Sequence, residues 1–206
     1  CNNPAGITIT GTLPINEDAT FFRSQGLITG NIDYDPDSNP LTDNSTLNYD
    51  GLSLTTTDSE WPAINGPSRI ICNLSNTSFT VNLHASRSIP SSANGVLTLT
   101  SGRLVTGNFD ISILNTAVTA VSWVGNDNSF ISQTGSGQLF RALLSGGTNR
   151  IYDFPIGNTS GLAHMIYFSD ANSLAGRQLG VRTIAAVSPN VNTPNTPPDY
   201  IERYWV

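Results

Sequence analysis

Short alternations of apolar and polar residues dominate this chain and leave little room for helices. Residues 6–10, 78–83, 96–100 and 110–114 set Ile, Val, Leu or Phe against Thr, Ser, Asn or Asp at alternate positions. A period of two sends one set of side chains inward and the other outward, as in a half-buried strand. Few stretches carry apolar residues at the i, i+3, i+4, i+7 spacing of an amphipathic helix. Turn signals punctuate the strands: Asn65-Gly66-Pro67, Asn94-Gly95, Ser101-Gly102, Thr106-Gly107-Asn108, Gly146-Gly147 and Ile156-Gly157-Asn158. Only 12% of the residues are charged, and Ser, Thr, Asn and Gly are plentiful. The expectation is an all-β fold.

Within that class the pattern changes along the chain. Strand-like segments recur at Leu27-Ile28, 52–54, 70–74, 79–83, 96–100, Leu104-Val105 and 111–114, at uneven spacing. A β-solenoid coil needs about 20 residues or more, each coil burying its inward side chains on the next. A β-sandwich also gives short strands, at about 8–12-residue spacing. From about residue 137 the strands are longer and more aromatic, at 150–154, 164–168, 178–187 and 200–206. These favour antiparallel packing. Pro194, Pro197 and Pro198 make residues 188–198 a stiff loop. The reading is a short parallel β-solenoid (β-helix) over residues 45–136, led in or capped by residues 1–44. An antiparallel β-sandwich follows over residues 137–206. A single elongated β-sandwich is the alternative. The chain stops on an apolar strand, so further protein is expected to follow it. Lysine, a common guard of sheet edges, is absent, which leaves Pro, Asn, Asp or neighbouring domains to protect them.

Several segments, in order, carry a resemblance. They are residues 54–62 ending in Glu60-Trp61-Pro62, residues 95–107, Ser129-Phe130-Ile131 with residues 137–141, Phe154-Pro155-Ile156-Gly157, and residues 201–205. In this order the chain resembles the modular, adhesin-like surface proteins that Bacteroidetes export through the type IX secretion system, including gliding-associated ones. The likeness covers residues 45–206, while residues 1–44 match less well and the sorting signal that ends such proteins is absent. The resemblance implies a β-helical stretch running into a β-sandwich, an extracellular place on the bacterial cell surface, and a role in adhesion or display. It implies no chemistry and no defined ligand.

The charge pattern excludes some partners. The net charge is −6, and all nine cationic residues are arginines spread from Arg23 to Arg203. Nucleic acid binding needs a basic cluster to displace counterions from phosphates, and none is present. No apolar run reaches the ~18–20 residues that span a bilayer, so membrane insertion is not expected. The expected partners are glycans or surface polymers and neighbouring domains of the same protein.

Signals for catalysis are weak, and the chain reads as a non-enzyme. The two histidines, His84 and His164, lie in no metal-ligand spacing, and no Gly-x-Ser-x-Gly turn occurs. Acids such as Asp58, Glu60, Asp153, Asp170 and Glu202 offer carboxylates for a glycosidase pair, but fifteen acids make chance pairs common. Asp33, Asp35, Asp37, Asn39 and Asp43 alternate along one loop and offer oxygens to Ca²⁺, which takes about 6–8. The loop lacks the glycine and glutamate of an EF-hand, and an acidic solvated loop is the plainer reading. No other cofactor is indicated. Trp61, in a turn-like Glu60-Trp61-Pro62, is the best placed tryptophan for an exposed sugar-stacking platform, with core packing as its alternative. Trp205 reads as core, and Trp123 as core or solenoid lining. Cys1 and Cys72 permit one disulfide. The other readings are a free buried Cys72 and a lipid-bearing Cys1.

Overall fold

The structure is a computed structural model that describes residues 1–39, 43–144, 150–159, 161–169, 177–184 and 204–205. It is a parallel β-solenoid of about six turns. The first strands are β1 (Ile7–Pro14), β2 (Thr20–Arg23), β3 (Ile28–Asp33), β4 (Thr46–Tyr49), β5 (Leu54–Thr55), β6 (Arg69–Asn73) and β7 (Thr80–Asn82). They continue with β8 (Arg87–Ile89), β9 (Val96–Val105), β10 (Ile111–Ile113), β11 (Val121–Trp123), β12 (Ser129–Ser132) and β13 (Leu139–Ala142). The last are β14 (Arg150–Phe154), β15 (Ile156–Asn158), β16 (Gly161–Leu162), β17 (Met165–Ser169), β18 (Gln178–Val181), β19 (Thr183–Ile184) and β20 (Tyr204–Trp205).

Three parallel faces wind around one core. The first face stacks β2, β4, β6, the start of β9, and β11. The second stacks β5, β7, the end of β9, β12 and β15. The third stacks β8, β10 and β13. Stacked partners lie one coil apart, as in Thr46 with Arg69 and Ile111 with Leu139. Uneven coil length is absorbed in the corners, so the strands stay in register while the turns vary.

The alternating pattern becomes columns of like side chains. Leu47, Ile70, Leu97 and Val121 stack in the first face. Val81, Leu104, Ile131 and Ile156 stack in the second. All eight are buried. Each such side chain gives about 1.5–3 kcal/mol when fully buried. The columns therefore drive stacking, and the backbone ladders fix its register. β9 serves two faces because it bends at Gly102, whose φ is +80°. A Cβ there would lie 2.7 Å from Leu74 Cδ1, so the corner requires glycine.

Stacking extends beyond residues 45–136 in both directions. β2 already pairs with β4, and β1 pairs in parallel with β3. At the other end β13 and β15 continue the parallel ladders. β1, the first strand of the stack, is bulged between Thr8 and Thr12, with Gly11 at φ +88° and Pro14 at its end. A bulge and a proline spoil a flat edge for pairing with another chain.

Apart from the β12–β15 ladder, the pairing beyond β13 turns antiparallel. β18 adds to β13, β16 to β15, β17 to β14, and β20 to β19. The expected sandwich draws on residues 145–149, 170–176 and 185–203, which lie outside the described residues, as do the proline-rich loop and the side chain of Trp205.

Candidate functional site

The corners between the third and first faces build a concavity. Residues 34–45, 62–68, 90–95 and 114–120 are successive corner segments, each leading into a strand of the first face. They leave a cleft of about 350 Å³ lined by Asp35, Asp43, Pro62, Asn65, Ser68, Ser88, Pro90 and Leu114, among others. Because the lining comes from successive coils, the cleft crosses the rungs, which step about 4.8 Å each. Prolines suit these corners because they fix φ where no ladder donor is needed.

The cleft floor is stitched by polar side chains. Asp43, 4% exposed, accepts from Ser45 N at 2.9 Å and from Ser68 Oγ at 2.8 Å. Asn94 Nδ2 donates to Asp43 O at 3.1 Å, and Asn115 Nδ2 to Gly95 O at 3.0 Å. Asp35 differs, because its buried Oδ1 has no hydrogen-bond partner. Desolvation, with Asp37 and Asp43 close by, pushes the Asp35 carboxyl above its ordinary range, although a hydrogen bond from the Asn39 backbone opposes this. Neither Asp35 nor Asp43 belongs to any ion pair among the described residues.

The calcium loop is only partly assembled. Asp35, Asp37 and Asp43 lie near one another. Asp33 and Asp37 instead turn an oxygen onto the backbone N–H two residues on, at Asp35 and Asn39 respectively, each at 3.1 Å. Among the described residues no group of three or more His, Cys, Asp or Glu side chains is placed to hold a metal ion. Residues 40–42 lie outside them.

Two expectations are corrected. Trp61 is fully buried, not an exposed platform. Its backbone carbonyl accepts from Arg87 Nε at 2.7 Å, and its backbone N–H donates back to Thr57 O at 3.2 Å, so the turn is pinned with the indole inside the solenoid. The Cys1–Cys72 disulfide is absent, and both thiols are free. The ladder explains why. Asn2 bridges to Gln25, Arg23 pairs with Tyr49, and Tyr49 with Cys72. Three ladder steps, about 14 Å along the axis, separate the cysteines, beyond the ~7 Å Cα reach of a disulfide. Burial pushes the Cys72 thiol up to about 12. Trp123 is half-buried in the column that holds Leu99, with the His164 ring 4.6 Å away.

The other titratable clusters lie outside the cleft. His84 bridges Thr56 Oγ1 at 2.7 Å and Asp58 at 3.0 Å, with Arg87 on the same carboxylate. The His84 hydrogen bond, aided by Arg87, holds the exposed Asp58 below its ordinary range. The trio has the residue types of a nucleophile, base and orienter, but the Thr56 residue is only 1% exposed and its hydroxyl also accepts from His84 N. A nucleophile needs an open approach. His164 meets Asp153 at 2.8 Å. Glu60 is buried against Arg23 and Thr57, while Asp170 and Glu202 lie outside the described residues. No helix among the described residues is long and apolar enough to cross a membrane.

The cleft residues Asn65, Ser68, Ser88 and Pro90 carry no motif. Their only trace in the sequence is Pro62 and Pro90 at corresponding corners of successive coils. Compared with known proteins, the chain matches no family model, no curated protein and no solved structure.

Proposed function

We propose that this chain is a non-catalytic adhesion or display module of a secreted, surface-exposed bacterial protein, and that it holds a glycan along the cleft between its corners. The observation that carries this reading is a cleft of mixed polar and apolar lining that crosses successive rungs. The hydroxyl of Ser88 and the amide of Asn65 stand there beside the apolar faces of Pro62, Pro90 and Leu114. That mixture suits a pyranose chain, which presents hydroxyl edges and apolar faces together. The rise per rung is comparable to the length of one sugar unit, so an extended oligosaccharide meets similar chemistry at each step.

A glycosidase would also use a cleft with two carboxylates. Asp35 and Asp43 suit that role poorly, because both oxygens of Asp43 are engaged by Ser45 and Ser68 and the residue is 4% exposed. Its carboxylate has no free face for a water or an anomeric carbon. A filament subunit associating end to end is disfavoured by the bulge and proline of β1.

The test is a screen of purified oligosaccharides on the protein and on Ser88→Trp, with calorimetry on any hit. Ser88 is exposed on the cleft wall, so the indole fills the cleft without touching the core. Saturable binding that Ser88→Trp abolishes is expected. Equal binding by the variant would place the ligand elsewhere, and turnover of the sugar would return the module to the enzymes. Binding is expected to persist in EDTA, and its loss there would bring calcium back to the loop of residues 33–43.

A further inference from the structure

We infer that Asn65-Gly66 is a site of spontaneous succinimide formation, which converts Asn65 to aspartate and isoaspartate and so adds a carboxylate to the cleft. The inference stands apart from the glycan reading. The chain holds two Asn-Gly pairs, Asn65-Gly66 and Asn94-Gly95. Both lie in corners that lead into the first face, one coil apart. Local sequence makes the two pairs alike, because a glycine with no Cβ leaves its amide nitrogen open to the preceding side chain. Their surroundings make them different.

Asn94-Gly95 is locked at both reacting groups. Gly95 N donates to Ser92 O at 3.0 Å, and Asn94 Nδ2 donates to Asp43 O at 3.1 Å. Gly95 O also accepts from Asn115 Nδ2, and Gly95 itself is buried. Ring closure there would break these bonds with no water to replace them. Asn65-Gly66 has none of these ties. Asn65 is exposed in its corner, next to Ile64, which is 81% exposed. Among the described residues neither the Asn65 side-chain amide nor the Gly66 N–H has a hydrogen-bond partner. The bond from Tyr34 N to Asn65 O, 3.1 Å, engages neither reacting atom. Asn65 has a φ of +54°, which asparagine tolerates in turns. That conformation accounts for the residue type but not for its free amide.

The chemistry needs only water and hydroxide. The Gly66 nitrogen gives its proton to hydroxide and bonds to Asn65 Cγ. The Cγ–Nδ2 bond breaks, and the amide leaves as ammonia. Water then opens the cyclic imide. Breaking the bond from Gly66 N to Cγ gives aspartate. Breaking the bond from Gly66 N to the Asn65 main-chain carbonyl carbon gives isoaspartate, in which the backbone runs through the former side chain. Asn65 lines the cleft with Asp35 and Asp43, so either product adds a carboxylate to theirs. The cleft therefore grows more negative as the protein ages.

The experiment holds the full chain in mildly alkaline buffer, folded or unfolded in urea, and follows residues 65 and 94 over time by peptide mapping and mass spectrometry. Labelling with an isoaspartyl methyltransferase separates the two products. In the folded protein Asn65 is expected to convert at least tenfold faster than Asn94, giving isoaspartate and aspartate together. In urea the two rates are expected to converge. Equal rates in the folded protein would overturn the inference, as would an Asn65 that keeps its amide while the unfolded chain converts. Aspartate without isoaspartate would mark direct hydrolysis and overturn it too. Asn65→Gly removes the reacting carbon, and glycine accepts the left-handed φ. This variant is expected to melt as the parent does and to lose the slow gain of acidic species on ion exchange. An undiminished gain would place the conversion elsewhere.

Discussion

Arg23 opens the column of Tyr49, Cys72 and Leu99 in the first face, and Arg141 is the last parallel-stacked member of the column of Ile89 and Ile113 in the third, before antiparallel β18. Both arginines are buried, yet their surroundings differ. Arg23 has a carboxylate partner in Glu60, which Thr57 N also caps at 2.9 Å, and its Nη2 reaches Gly26 O at 2.8 Å. Among the described residues Arg141 has no carboxylate partner. It donates to Asp153 O at 2.9 Å, Ala117 O at 2.9 Å and Val118 O at 3.1 Å, and lies 5.1 Å from the Tyr152 ring centroid. Burial pulls its pKa down to about 10, against the opposing pull of Tyr152 and Asp153. At the end of the parallel stack the guanidinium fork bonds the backbone carbonyls of residues 117, 118 and 153 at once. The N-terminal end of the stack thus relies on ionic compensation and the C-terminal end on carbonyls and aromatic faces.

The largest effect is expected from Glu60→Ala. Removing one partner of a buried pair strands the other, at a cost of about 3–5 kcal/mol. Replacing both, as Arg23→Met with Glu60→Leu, is expected to recover most of that loss in urea unfolding. A double variant as unstable as Glu60→Ala would show that the pair contributes more than mutual neutralisation.

Arg141→Lys comes next. Lysine cannot reproduce the planar fork that reaches three carbonyls, and each stranded carbonyl costs about 1–3 kcal/mol. A loss of roughly 2–4 kcal/mol is expected from the same principle, since part of the hydrogen bonding survives. Stability equal to the parent protein would mean that charge alone, not the fork, satisfies this end of the stack.

The smallest effect belongs to Cys72, midway along the Arg23 column. Its thiol, ordinarily titrating at 9.0, is raised to about 12 by burial. Between those values the unfolded chain is the less protonated state, so stability is complete below pH 9 and falls as pH rises towards 12. The fall approaches about 1.4 kcal/mol per pH unit. Tyr34 and Tyr49, also raised by burial, add the same tendency only above about pH 10. Arg141, lowered to about 10, begins to oppose it there. The interval from pH 9 to 10 therefore isolates the thiol, and Cys72→Ala is expected to flatten the stability curve in it. An unchanged slope would show that Cys72 is not shielded by the stack.

Much of the fold was legible because it rests on local pattern. The inward positions of residues 96–100 and 110–114 followed from alternation, and Leu97, Leu99, Ile111 and Ile113 are buried. The turn at Ser101-Gly102 was marked by its glycine. The site was less legible. Asp43 was named for a metal loop, yet its carboxylate bonds Ser68, a residue one coil later. Trp61 sits in a turn, and a turn in a solenoid can face the core as readily as the solvent. Nothing local distinguishes those two outcomes.

Residue type and near neighbours alone set the strand class, the inward and outward sets of side chains, the turns, and the absence of a basic cluster. The tertiary structure decided the rest. Register between coils set which residues share a column, placed Cys1 and Cys72 three rungs apart, sealed Trp61 and Glu60 inside, and brought separated corners together as one cleft. Coils vary in length while rungs keep a constant spacing, so partners are chosen by stacking and not by any fixed interval along the chain.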